Sequence, residues 1–243
     1  MLSFYSQKGS KPIAVNKEQL LYISDDEKLD KNSVTSDEDL CMLPPVDKHR
    51  EIIYVCGPSG SGKSTITAEY VSNYSKLHPK HDIFLFSMVA DDPAFEKLKK
   101  KIHRIQITDN LLEQPVELSE LNNTLVVFDD VDGIPDKKLY NAVTNLVLRI
   151  AEHGRHNNIT MILISHLVNG VDMKKTRVIM NECSRIVLFP KAMNRHQLDY
   201  FLKKYIGMHQ KDIDEFNRIK SRAVIIGKNY PRYVLYKTGA YCI

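Results

Sequence analysis

Residues 57–64 read Gly57-Pro58-Ser59-Gly60-Ser61-Gly62-Lys63-Ser64, a complete G-x-x-x-x-G-K-[ST] pattern. Its chemistry is phosphate binding. Glycines let backbone N–H groups close around an anion that a Cβ atom would hold off. In such a loop Lys63 reaches the β/γ-phosphates of a nucleotide and the Ser64 hydroxyl is placed to ligate Mg²⁺. With Thr65 just beyond, residues 57–65 are the expected nucleotide-binding segment. A second group follows at Thr124–Phe128, a hydrophobic run ending in Asp129-Asp130. A buried strand delivers its last side chains to the carboxyl edge of a sheet, where ligands bind in α/β proteins. There Asp129 would hold the Mg²⁺ shell through water, and Asp130 would orient or deprotonate the attacking water. The third group runs from Arg149 through Gly154-Arg155-His156-Asn157-Asn158 to Ser165-His166. It reads as a helix end, a polar loop and a strand whose last residue, His166, can approach a γ-phosphate.

These side chains need elements to aim them. Glu51–Cys56 is apolar enough for a buried strand, and Ile66, Tyr70, Val71, Tyr74 and Leu77 lie on one helical face after the loop. Strands are expected at 51–56, 82–87, 103–108, 124–129, 159–164 and 185–189. Helices are expected at 63–77, 93–101, 136–153 and 172–181. That alternation predicts an α/β fold, a mainly parallel sheet flanked by helices on both faces. Beyond Lys191 the pattern changes to helices at 194–205 and 211–222 and short strands at 223–227 and 232–236. The expected organisation is an extension at 1–48, a core at 49–190 and a basic segment at 191–243 that completes the domain. In the extension, residues 19–24 can add one strand, while acidic, polar 25–39 reads as a mobile loop.

The 243 residues suit one large domain, and 43% hydrophobic with 26% charged content is ordinary for a globular chain. No apolar run approaches a membrane span, and there is no signal-peptide pattern, so no membrane role is expected. Four cysteines without CxxC spacing indicate neither zinc nor a disulfide framework. His153, His156 and His166 fall across three different elements, which argues against a shared metal. The net charge of +4 is uneven: residues 191–243 carry 11 basic and 4 acidic side chains. Such a segment is either a footprint for nucleic acid or a solvated lysine-rich surface. Tyr230-Pro231-Arg232-Tyr233 adds aromatic residues to it, as a base-and-phosphate contact or as a hairpin turn with packed tyrosines. Arg177 and Arg185 are lesser candidates for a subunit interface or a helix-surface ion pair. Asp91-Asp92-Pro93 reads as a helix cap. Asp130–Gly133 matches the D-x-x-G spacing of GTPases, but no N-K-x-D or T-K-x-D guanine reader accompanies it.

In order and spacing, the three groups resemble the FtsK-HerA superfamily of DNA-pumping ATPases within the P-loop NTPases (ASCE, RecA-like). The branch they look most like is the genome-packaging ATPases of poxviruses, giant viruses and virophages. The resemblance covers about residues 50–190, and Gly154–Ile159 is its most distinctive piece. It implies ATP and Mg²⁺ as ligands and double-stranded DNA as substrate. It also implies a pentameric or hexameric ring, capsid or portal components as partners, and a place in the host cytoplasm or virion. At the position of Arg155 the superfamily carries an arginine that acts on a neighbouring subunit's nucleotide; Arg149 is a second candidate. The sequence departs from the pattern at His166, where the superfamily usually has Gln, and at Asp130, where many members have Glu. The expected catalytic set is therefore Lys63, Asp130, Arg155 and His166, with Ser64 and Asp129 at the metal. The rival readings are a small-molecule or nucleoside kinase, a nucleotide-gated scaffold, and a DNA-segregation or conjugation motor.

Overall fold

In a computed structural model, the structure describes residues 1–17, 19–25, 33–46, 49–166 and 173–243. Six strands form the parallel centre: β6 (Ile52–Cys56), β7 (Asp82–Ser87), β8 (His103–Gln106), β9 (Thr124–Asp129), β10 (Ile159–Ser165) and β11 (Arg185–Leu188). Their spatial order is β11-β6-β10-β9-β7-β8. Strand β10 therefore lies between the strand leading into the phosphate loop and the strand ending in the acid pair. The six residues of β9 and the seven of β10 are all buried. Near-continuous hydrophobic runs are what a sheet covered on both faces requires.

Alternation along β6 divides the core. Ile52, Tyr54 and Cys56 pack with α3 (Lys137–His153) and α4 (Met173–Glu182), on the face that also carries the short α2 (Asn110–Glu113). Ile53 and Val55 pack on the other face with α1 (Lys63–Leu77). In α3 the apolar positions Leu139, Val143, Leu146, Val147 and Ile150 recur on one buried stripe. Helix α3 starts on an Asp136 cap, whose carboxylate accepts from Leu139 N at 2.7 Å.

The sheet does not stop at β11. Strands β12 (Val224–Gly227), β13 (Tyr233–Tyr236) and β14 (Gly239–Cys242) extend it antiparallel, with β4 (Ser33–Thr35) at the edge. Helix α5 (Arg195–Phe201), a π-helical turn at Leu202–Ile206 and α6 (Gln210–Arg218) pack on the α3 face.

Several elements differ from expectation. Instead of one added strand, the N-terminal region forms a four-stranded sheet of its own. It consists of β1 (Leu2–Ser3), β2 (Lys11–Val15), β3 (Leu20–Ile23) and β5 (Cys41–Met42), packed on the α1 side. Ser33–Thr35, expected inside a loop, is strand β4; the 26–32 part of that expected loop lies outside the described residues. These strands are two to five residues long, and their order comes from partners rather than local preference. The expected helix at 93–101 is a shorter 3₁₀ turn at Pro93–Leu98. Strand β14 was not anticipated. Among the described residues, no helix is long and apolar enough to cross a membrane.

Candidate functional site

The parallel topology brings the ends of β6, β9 and β10 to one edge of the sheet, and there the expected site residues other than Arg155 meet. Gly57 N donates to Ser165 O (3.2 Å), tying the phosphate loop to β10. The loop turns at Gly60 and at Gly62, whose φ of 108° is open to glycine but strained for any side chain. Gly62 caps α1 without any side-chain hydrogen bond, and the first turn of α1 has no acidic residue. The helix thus presents its unsatisfied N–H groups and positive end to the loop. Ser61 Oγ is buried there with no hydrogen-bond partner among the described residues. Ser64 is half-buried; Ser59 and Thr65 are exposed.

Lys63 is 7% exposed. Its ammonium donates to Gly57 O (2.9 Å) and Pro58 O (3.3 Å) and lies 3.3 Å from His166 Nδ1. An ammonium only donates, so Nδ1 is the acceptor and the ring proton sits on Nε2. Nε2 in turn lies 2.6 Å from Asp130 Oδ1. A continuous chain therefore runs Lys63–His166–Asp130. Asp130 holds a left-handed backbone (φ 55°), uncommon for a non-glycine residue. Asp129 is buried, and its carboxyl is pushed up to about 6, first by burial and then by the charges of Asp130 and Asp92. Lys63 and His166 only partly offset this. A carboxylate so crowded by like charge is one that a cation would relieve. Asp92 itself caps the 3₁₀ turn, accepting from Ala94 N at 2.8 Å, as its sequence position indicated.

The structure places Arg155 elsewhere. It follows α3 and precedes β10, so it lies at the edge opposite the phosphate loop, exposed and without an ion-pair partner among the described residues. The seven residues of β10 separate it from Ser165, a span of about 20 Å. Arg149 is committed to Glu117 at 2.6 Å. Gly154, whose place after α3 suggested a left-handed end, is right-handed (φ −60°). What requires a glycine is the close backbone: a Cβ at Gly154 would stand 2.5 Å from Ile150 O and 3.1 Å from the Arg50 guanidinium, which donates to Ile150 O and Ala151 O. Asn157 and Asn158 donate through Nδ2 to Asn122 and Asn123 at the start of β9 (2.6 and 2.9 Å). This ladder sets the register of the two central strands.

Arg185 is neither on an interface nor on a helix surface. It is buried on β11, with Nε 3.1 Å from Glu51 Oε2. Two residues at the site were missed. Asp132 accepts from Ser165 Oγ and from His166 N (3.2 Å), fixing the end of β10. Arg222 donates to Gly60 O and Ser61 O, each at 2.6 Å, and braces the loop from the C-terminal segment. Asp132 was legible only as part of the D-x-x-G match; Arg222 carries no motif. Among the described residues no group of three His, Cys, Asp or Glu is arranged to hold a metal. A cation here would rest on Ser64, Asp129 and the nucleotide's own oxygens.

No family model matches the chain. It is 39% identical to uncharacterized protein V3 of Sputnik virophage, over 99% of both chains. Among solved structures it is similar to the genome-packaging NTPase B204 of Sulfolobus turreted icosahedral virus 2. With the sulfate complex of B204 the TM-score is 0.55 at 15% identity, covering 76% of this chain and 94% of that one. It is also similar to the pCW3 conjugation coupling protein TcpA, with a TM-score of 0.53 at 13% identity, covering 94% of this chain and 77% of that one. These likenesses show the P-loop NTPase fold.

Proposed function

The chain belongs to the family of Sputnik virophage protein V3, and from that membership, its fold and its site we propose that it is an ATP-hydrolysing motor of the FtsK-HerA type. Its substrate is double-stranded DNA, which it packages into a viral capsid as a ring of identical subunits. B204, a genome-packaging NTPase of the same fold, has been captured with AMPPCP. The observation that carries the reading is the convergence of Lys63, His166 and Asp130 in one hydrogen-bonded chain beside Asp129.

Residues 57–65 cradle the triphosphate. The backbone N–H groups and the α1 N-terminus take the phosphate oxygens, and Lys63 neutralises charge at the β/γ position. Ser64 and Asp129 would hold Mg²⁺, which when bound offsets the charge developing on the phosphates. Asp130 accepts the proton of the attacking water, and His166 holds that carboxylate in place through Nε2–H. Arg155 is too far from its own Lys63 to assist it, so it serves the site of the next subunit, spreading positive charge over the γ-phosphate oxygens. The rival kinase reading is the weaker one, since the neighbours of this fold are genome-packaging and conjugation proteins. Contacts with a capsid or portal, and work in the host cytoplasm, belong to the same proposal.

Steady-state ATP hydrolysis with and without long duplex DNA tests it. DNA stimulation that vanishes in Lys63→Ala is expected. Hydrolysis unmoved by DNA at every protein concentration would overturn the motor reading.

A further inference from the structure

At the sheet edge opposite the phosphate loop, where β12 ends, α4 and the π-helical turn border an open groove of about 460 Å³. Arg177, Lys204 and Lys228 line it with Tyr200 and Tyr205, and among the described residues no acidic side chain does. Lys228 is partly engaged: its ammonium donates to Met180 O at the end of α4 and lies 3.7 Å from Cys183 Sγ. Arg177 and Lys204 are exposed, with no ion-pair partner among the described residues. Tyr200 is 55% exposed and meets Tyr205 edge-on at 6.3 Å. Next to the groove, Arg232 donates to Ile206 O at 2.6 Å, which pins the β12–β13 hairpin to the π-helical turn. The hairpin tip carries Tyr230, 77% exposed.

Internal contacts hold Lys228 and Arg232, but they account for neither the exposed Arg177 and Lys204 nor the exposed Tyr200 and Tyr230. Three cations around one groove repel each other, and large exposed aromatics gain nothing from water. An anionic polymer supplies what both lack, since phosphate oxygens accept from Arg, Lys and tyrosine hydroxyls alike. The π-helical turn that carries Lys204 and Tyr205 is itself a rare backbone form, concentrated at functional sites. The groove is too far from Lys63 to belong to the nucleotide.

We propose that this groove grips the sugar-phosphate backbone of duplex DNA without reading its sequence, an inference that rests on the motor function proposed above. It places the DNA contact and the ATP site on opposite edges of one sheet.

The test is binding of a fluorescein-labelled 40-base-pair duplex by anisotropy, across a salt series, using the full chain. The double variant Arg177→Gln/Lys204→Gln is compared with Lys97→Gln/Lys100→Gln, which removes equal charge from exposed positions of the other face. Losing two phosphate contacts lowers the slope of log K against log salt by about 1.8, equivalent to about 60-fold weaker binding at 0.1 M salt. The control pair should keep the wild-type slope. ATP hydrolysis without DNA should be unchanged in both variants, which shows that they fold. A wild-type chain that binds duplex with a slope unaltered in the groove variant would overturn the groove and leave the motor standing. A wild-type chain that binds no duplex at any salt would overturn both. Loss of poly-glutamate binding in the groove variant, with duplex binding intact, would assign the groove to an acidic polypeptide instead and overturn the proposal.

Discussion

Replacing Arg155 with Ala separates action within a subunit from action between subunits. Across about 20 Å of water, a unit charge interacts with another by about 0.2 kcal/mol before screening. At physiological salt, two and a half Debye lengths reduce this to about 0.02 kcal/mol, a rate effect of a few per cent. Action through the neighbour instead predicts a loss of about 10³–10⁵ in turnover with nucleotide affinity unchanged. The assay is ATP turnover at saturating DNA and protein, paired with titration of a fluorescent nucleotide. Mixing Arg155→Ala with Lys63→Ala sharpens the result. Each is inactive alone, but in a mixed ring an intact Lys63 site faces an intact Arg155. With random placement at equal amounts, about a quarter of the subunits regain both, so turnover should return to about a quarter of wild type. Near-wild-type turnover in Arg155→Ala alone would refute the argument, as would a mixture that forms mixed rings and stays silent.

Asp130→Asn should lower kcat by about 10²–10⁴ while sparing nucleotide affinity, and an equal loss of both would deny it the role of base. For Asp129, raised to about 6, the native state holds a proton that the unfolded carboxyl has already released. Its contribution to stability is therefore full below about pH 4 and is lost as pH rises through about 6, while Mg²⁺ affinity weakens about tenfold per pH unit below 6. Calorimetric Mg²⁺ titrations in the presence of nucleotide should show that slope, and Asp129→Asn should abolish it; a flat profile in the wild type would contradict the assignment. Glu51→Ala leaves the Arg185 guanidinium buried and unpaired, and should cost about 3–5 kcal/mol in urea unfolding; a loss below about 1 kcal/mol would mean that Tyr70 and Tyr233 suffice to hold it.

The phosphate-loop edge of the sheet was legible because its signals are local. A glycine loop between a strand and a helix allows few structures, and the hydrophobic runs at 52–56, 124–129 and 159–165 are too continuous for anything but strands covered on both faces. Of the N-terminal sheet only β3 was legible, as the strand expected at 19–24. The sheet's other two- to five-residue strands carry no period long enough to read, and β4 finds its partner some 200 residues away in β14. Likewise the π-helical turn reads from sequence as a continuation of α5.

From sequence alone came the phosphate loop, the acid pair, the alternating architecture and the candidate arginine, because each rests on residue type at short spacing. Which of them meet was a matter of strand order. Placing β10 between β6 and β9 carries His166 onto Lys63 and Asp130 and sends Arg155 to the far edge. Arg222 reaches the phosphate loop across 161 residues of separation, and Arg185 finds Glu51 in the core. Such contacts depend on parallel strands sharing one edge, and that is settled by packing the whole chain rather than by any segment of it.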